Sequence, residues 1–115
     1  MEMPQPGIFF SECLGYMRGE DAKAFVKYGQ AIIDDHGSLR GFHDWTAVMG
    51  YTNEARLVTT EWTVRNAGRL TEVHIALSST IVRMAVAVAN IGLRGKITIH
   101  DTLPSLEAAQ RLHMR

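Results

Sequence analysis

Residues able to do chemistry gather in three short polar clusters: His43-Asp44-Trp45, Ser78-Ser79-Thr80 and His100-Asp101-Thr102. Each follows a strand-like run, and in an open parallel sheet ligands collect beyond the carboxyl ends of the strands. Two His-Asp pairs at equivalent places could hold a divalent metal or work as acid and base, because imidazole titrates near neutral pH. Neighbours on a strand point to opposite faces, so His43 and Asp44 act together only where the strand has ended. The other use of Asp44 and Asp101 is to cap turns and helix starts, with the histidines partly buried. Cys13 is the single cysteine, which excludes an internal disulfide and any multi-cysteine metal cluster. Gly92-Leu93-Arg94-Gly95 falls at a helix end, the wrong place for a phosphate loop. No G-x-S-x-G motif occurs, and no base is placed beside Cys13 by the sequence. Catalysis would need His43, Asp44, His100 and Asp101 in one shared pocket. No enzyme, metal or cofactor is expected.

The elements that must position these clusters follow from the apolar pattern. Residues 1–7, with Pro4 and Pro6, read as a flexible tail, and residues 8–115 as one domain. Ile8 to Met17 is an apolar run interrupted by Glu12, a strand near a sheet edge. Gly19 to His36 is an amphipathic helix, with Ala22, Phe25, Val26, Gly29, Ile32, Ile33 and His36 recurring at helical spacing. Glu20 and Asp21 suit its positive end and Gly37 stops it, while Gly29 allows close approach to the sheet. Ser38 to Trp45 reads as the second strand, with Leu39, Gly41 and His43 opposite Arg40, Phe42 and Asp44. Thr46 to Tyr51 reads as a turn bent at Gly50. Thr52 then caps a second helix that turns Ala55, Val58 and Trp62 inward, leaves Leu57 and Val64 opposite, and closes at Gly68. A last helix follows Thr102-Leu103-Pro104, with Leu106, Ala109, Leu112 and His113 as its inner face.

Between them, Leu70 to Ile99 forms a strand, a crossover helix and a strand, the signature of a parallel βαβ unit. Val73, Ile75 and Leu77 alternate with His74 and Ala76; Ile81 to Leu93 is the helix, and Lys96 to Ile99 the next strand. Four strand–helix repeats make a small α/β layered domain. The crossover helix is unusual. Arg83, Ala87, Asn90 and Arg94 share one narrow stripe, and apolar residues cover nearly everything else. Covering a sheet takes an apolar arc of only about 100°, and about 13 residues cannot span a bilayer. The helix is therefore either wedged between neighbours or offers a flank to a partner or a second copy. Arg56, Arg83 and Arg94 read as solvated helix charges.

Twelve basic and twelve acidic residues cancel. Neither nucleic-acid binding nor a polybasic membrane contact is expected, since both rely on a concentrated positive field. A neutral chain repels itself weakly, so association is tolerated. The start, MEMPQPG, has neither a basic stretch nor an apolar signal core, which makes a cytoplasmic location the expectation.

The order of elements, the D-W-x-x-V-x-G-Y stretch leading into a helix, and the S-S-x-I-V-x-M-A-V-x-V-A-N helix resemble the STAS superfamily. More closely, the chain resembles the small bacterial SpoIIAA-like domains, from about Ile8 to Leu112. The resemblance implies a mostly parallel sheet of four or five strands with helices mainly on one face, usually without a cofactor. It also implies docking to a partner protein, as anti-sigma-factor antagonists dock to a switch kinase. In that family a serine in a D-S-x-G-like turn opens the second helix. The matching stretch here is Met49-Gly50-Tyr51-Thr52-Asn53, without the aspartate or the glycine. Thr52 is the phosphorylation candidate, since phosphate there would meet a helix N-terminus; plain capping is its other use. The family's first strand is shortened to the Ile8–Met17 run, which leaves a sheet edge open to pairing.

The leading expectation is a non-enzymatic, regulatory and self-associating interaction module, with a dimer favoured. Its contact surface would comprise Trp45, Val48, Met49, Tyr51, Thr52, Val82 and Val86. The alternative is a small apolar-ligand or lipid-binding domain with a cavity lined by Phe25, Trp62 and Met84. Other branches of the resembled family are thought to hold such ligands between sheet and helices.

Overall fold

Strand and helix alternate throughout the structure, a computed structural model that describes residues 7–113. The tail expected over residues 1–7 lies, Gly7 apart, outside them, as does the side chain of His113. Among the described residues the elements are β1 (Ile8–Met17), α1 (Gly19–His36), β2 (Leu39–Tyr51), α2 (Asn53–Arg65), β3 (Leu70–Leu77), α3 (Thr80–Gly92), β4 (Ile97–His100) and α4 (Leu103–His113). All strands are parallel, in the order β1-β2-β3-β4. Crossovers between parallel strands are nearly always right-handed. Three of them stepping in one direction place α1, α2 and α3 on the same face. There they bury Ile33, Trp45, Trp62, Ile75 and Val82. After the last strand, α4 crosses to the opposite face and sets Leu106 against Ile8, Phe42 and Ala76. This is the α/β architecture expected, with four strands and helices mainly on one side.

Local signals account for most boundaries. Asp21 accepts the N–H of Arg18 at 2.8 Å at the start of α1, and Gly37, at φ 81°, ends it by donating to the Ile33 carbonyl at 2.7 Å. Thr52 Oγ1 accepts the Ala55 N–H at 3.1 Å and so caps α2.

Four expectations are corrected. The stretch Thr46 to Tyr51 is not a turn; it continues β2 to the end of β1, through Met17 opposite Tyr51. Two register shifts, each with one extra residue on the β2 side, break the period-two pattern there, which is why the stretch reads as irregular. Gly50 lies within the strand, where a Cβ would come 2.7 Å from the Tyr16 ring. Next, α2 ends before Gly68: the N–H and side-chain amide of Asn66 both donate to the Trp62 carbonyl, at 3.0 and 2.9 Å. Gly29 serves a helix–helix contact more than a helix–sheet one, since a Cβ there would lie 2.5 Å from the Trp62 ring of α2. Finally, Leu112 is exposed, because the apolar cluster under α4 is centred on Leu106 and does not reach its last turn.

Candidate functional site

The four residues a catalytic site would need are not brought together. Register sets His43, Ile75 and Ile99 in one row across the sheet, and Asp44, Ala76 and His100 in the next. Adjacent rows face opposite sides, so His43 lies under α1 and His100 on the α4 side. Asp44 accepts from the Thr46 N–H and hydroxyl at 3.2 and 2.7 Å, and Asp101 pairs with Arg83 at 2.6 Å. Among the described residues no group of three potential ligands could hold a metal ion. Burial, reinforced by Asp21, pushes the Cys13 thiol up, away from thiolate chemistry.

On the α4 side His74 Nδ1 sits 2.9 Å from His100 Nε2, and His100 Nδ1 sits 2.6 Å from Ser105 Oγ. His74 also stacks on Phe42, with ring centroids 5.1 Å apart. Burial lowers the His100 pKa, opposed by Asp101. This row ties β3, β4 and α4 together.

A concavity lies on the other face. A cleft of about 610 Å³ opens between α2 and α3, with the sheet as its floor. It exists because α2 rests mainly on α1, where Gly29 admits Trp62, and scarcely touches α3. Val73, Ile75 and Ile97 supply part of the floor, and Phe25, Trp45 and Trp62 close the α1 side. Ala85, Val86 and Ala89 line the α3 wall, with Thr59 and Thr63 opposite on α2. These two threonine hydroxyls donate to the Ala55 and Thr59 carbonyls of their own helix, at 2.9 and 2.7 Å. That bonding engages the donors of these two hydroxyls within α2; Thr60, also on the cleft lining, is the remaining hydroxyl of this wall. Of all the side chains lining the cleft, only Arg56 carries a fixed charge.

His43 is the polar group on the cleft floor. It is enclosed by Phe9, Phe25 and Trp45, and Ser11 Oγ stands 2.6 Å from its Nδ1 while accepting the Trp45 indole N–H at 3.0 Å. Burial among rings drives its pKa down to about 3, so the imidazole is neutral at physiological pH.

The expected contact residues divide. Trp45 (8 % exposed) and Val48 (2 %) are core residues, and Val82 is buried too. Val86 is half-buried on the cleft wall, while Tyr51 and Thr52 are half-buried near the start of α2. Met49 is exposed. Of the cavity residues, Phe25, Trp62 and Met84 all line the cleft.

Arg83, expected as a solvated helix charge, and Asn90 on the same stripe instead tether the helix. Arg83 donates to the Leu77 carbonyl at 3.0 Å besides pairing with Asp101. Asn90 gives its amide N–H to the Ile97 carbonyl at 3.0 Å and accepts the Ile97 N–H at 2.9 Å, as a further strand would. With that stripe turned to the sheet, Ile81, Met84, Val88 and Ile91, 63–79 % exposed, form a continuous row, and its first three members also line the mouth of the cleft. Their spacing at i, i+3, i+7 and i+10 was the available signal; which apolar arc would face outward was not.

No protein-family profile matches the sequence, and no curated protein is similar to it by sequence. In three dimensions the chain is similar to an uncharacterized protein from the DUF3478 family of Shewanella loihica PV-4, described as having a SpoIIAA-like fold. The match has a TM-score of 0.68 and covers 86 % of this chain and 81 % of that one, at 14 % identity. Likeness at that identity carries architecture and not activity. The chain has a SpoIIAA-like α/β fold.

Proposed function

We propose that this chain is a non-enzymatic binding domain of the STAS type and that the cleft between α2 and α3 is where it binds a small apolar ligand. One observation carries the reading: an apolar concavity of about 610 Å³ floored by the sheet, within the range of about 300–1,000 Å³ usual for small-molecule sites. Trp45 and Trp62 line it and report on its contents. The test is titration with a neutral apolar fluorophore, N-phenylnaphthylamine, following energy transfer from tryptophan. Wild type is expected to saturate with one probe per chain. Filling the wall with Ala85→Phe is expected to weaken the probe about tenfold or more, equivalent to about 1.4 kcal/mol. Unchanged affinity in that variant places the probe elsewhere and defeats the reading.

A second reading, a self-associating interaction module, is favoured by the exposed row Ile81, Met84, Val88 and Ile91. Such a row on a helix is the kind of apolar surface that protein contacts cover. Light scattering across a concentration series tests it, and a monomer at every concentration ends it.

A further inference from the structure

We infer that the ligand of the α2–α3 cleft is a single-chain amphiphile with an anionic head, a long-chain carboxylate, whose head is held by Arg56 at the cleft rim. The inference rests on the cleft being a binding site and goes on to name the ligand's chemistry. Arg56 is exposed and is the one charged residue among those lining the cleft. It sits near the start of α2, where a cation gains nothing from the helix dipole. Among the described residues Arg56 forms no ion pair, and neither do other exposed cations such as Lys27 and Arg69; what sets it apart is its place on the cleft lining. Below it the walls are mostly apolar: the Thr59 and Thr63 hydroxyls donate to α2 carbonyls, Thr60 adds one more hydroxyl, and Ala85, Val86 and Ala89 line the opposite side. A ligand with several polar groups would leave them unpaired here, which is costly. An alkyl chain with one terminal carboxylate leaves none, because guanidinium and carboxylate pair through two parallel hydrogen bonds.

The experiment compares dodecanoate with dodecanol, both below their aggregation limits at neutral pH, by tryptophan fluorescence on the full chain. Dodecanoate is expected to bind about fivefold more tightly than dodecanol, the effect of a solvent-exposed ion pair. Arg56→Gln is expected to bring the two to equal affinity with dodecanol binding unchanged. The substitution lies on the surface, and an unchanged circular dichroism spectrum separates loss of the head contact from misfolding. Equal binding of both compounds by wild type, or a carboxylate preference that survives Arg56→Gln, overturns the anionic assignment while the cleft reading stands. Failure of every probe, the neutral fluorophore included, ends both. A dimer that shuts the cleft against all of them counts the same way.

Discussion

Two junctions in the same helix layer behave in opposite ways. Helices α1 and α2 are pressed together; α2 and α3, joined by the same kind of right-handed crossover over the same sheet, stand apart. At the first junction Gly29 removes a side chain where the Trp62 ring must enter, and Trp62 Nε1 finds Gln30 Oε1 at 3.0 Å. Phe9, Phe25, His43 and Trp45 complete an aromatic cluster with centroids 4.9–6.1 Å apart. At the second junction α3 is held by Arg83 and Asn90 toward β3 and β4, and Ile81, Met84 and Val88 stay exposed along the mouth of the cleft. Topology decides which face a helix lies on. How closely two helices on that face approach is decided by a few side chains.

The contrast can be broken, beginning with acid. Burial holds the pKa of folded His43 down at about 3, against 6.5 for an unburied imidazole. Between those values only the unfolded chain takes up the proton, so stability is fully present above the upper value and lost as pH falls. The bound is up to about 5 kcal/mol for this one group. Urea unfolding across this pH window should show His43→Leu losing much less stability on acidification than wild type. Parallel slopes for the two proteins would mean that His43 is not enclosed.

Steric tests come next. Gly29→Val drives a branched side chain into the Trp62 ring and should cost about 1–3 kcal/mol by urea unfolding. Ala85→Val, facing the open junction, should change stability by no more than about 0.5 kcal/mol. Equal effects at the two sites would erase the distinction between a closed junction and an open one.

The smallest effect is expected on the outer row. Val88→Glu should leave stability within about 0.5 kcal/mol of wild type. If the row is a contact between copies, the same change should convert an associated wild type to monomer by light scattering. A variant that unfolds instead would show that Val88 is not on the surface.

Much of this architecture was legible locally. The ends of β1 and α1, the Thr52 cap and the βαβ unit from Leu70 onward follow from period, caps and stop signals, which involve neighbours in the chain. The opposite facing of His43 and Phe42 follows from strand alternation alone, and so does the failure of His43 and His100 to share a site once their register is known. Phe25, Trp62 and Met84, large apolar groups on three different helices, line the concavity. Arg56 was not legible as part of that lining. The role proposed for it depends on its place on the cleft lining and on having no ion pair among the described residues, and neither is a property of its own segment.

What the sequence by itself determined is the alternation of strand and helix, the parallel connection and the apolar content of each element. Tertiary structure decided the rest. Register shifts against β1 extended β2 through Gly50, because pairing with a neighbouring strand outweighs a locally broken pattern. The rotation of α3 was undetermined by its own residues, since a helix apolar almost all round has no unique buried arc. Bonds from Arg83 to the Leu77 carbonyl and from Asn90 to Ile97 hold the polar stripe against the sheet, which leaves Val82 buried and Ile81, Met84 and Val88 exposed along the cleft.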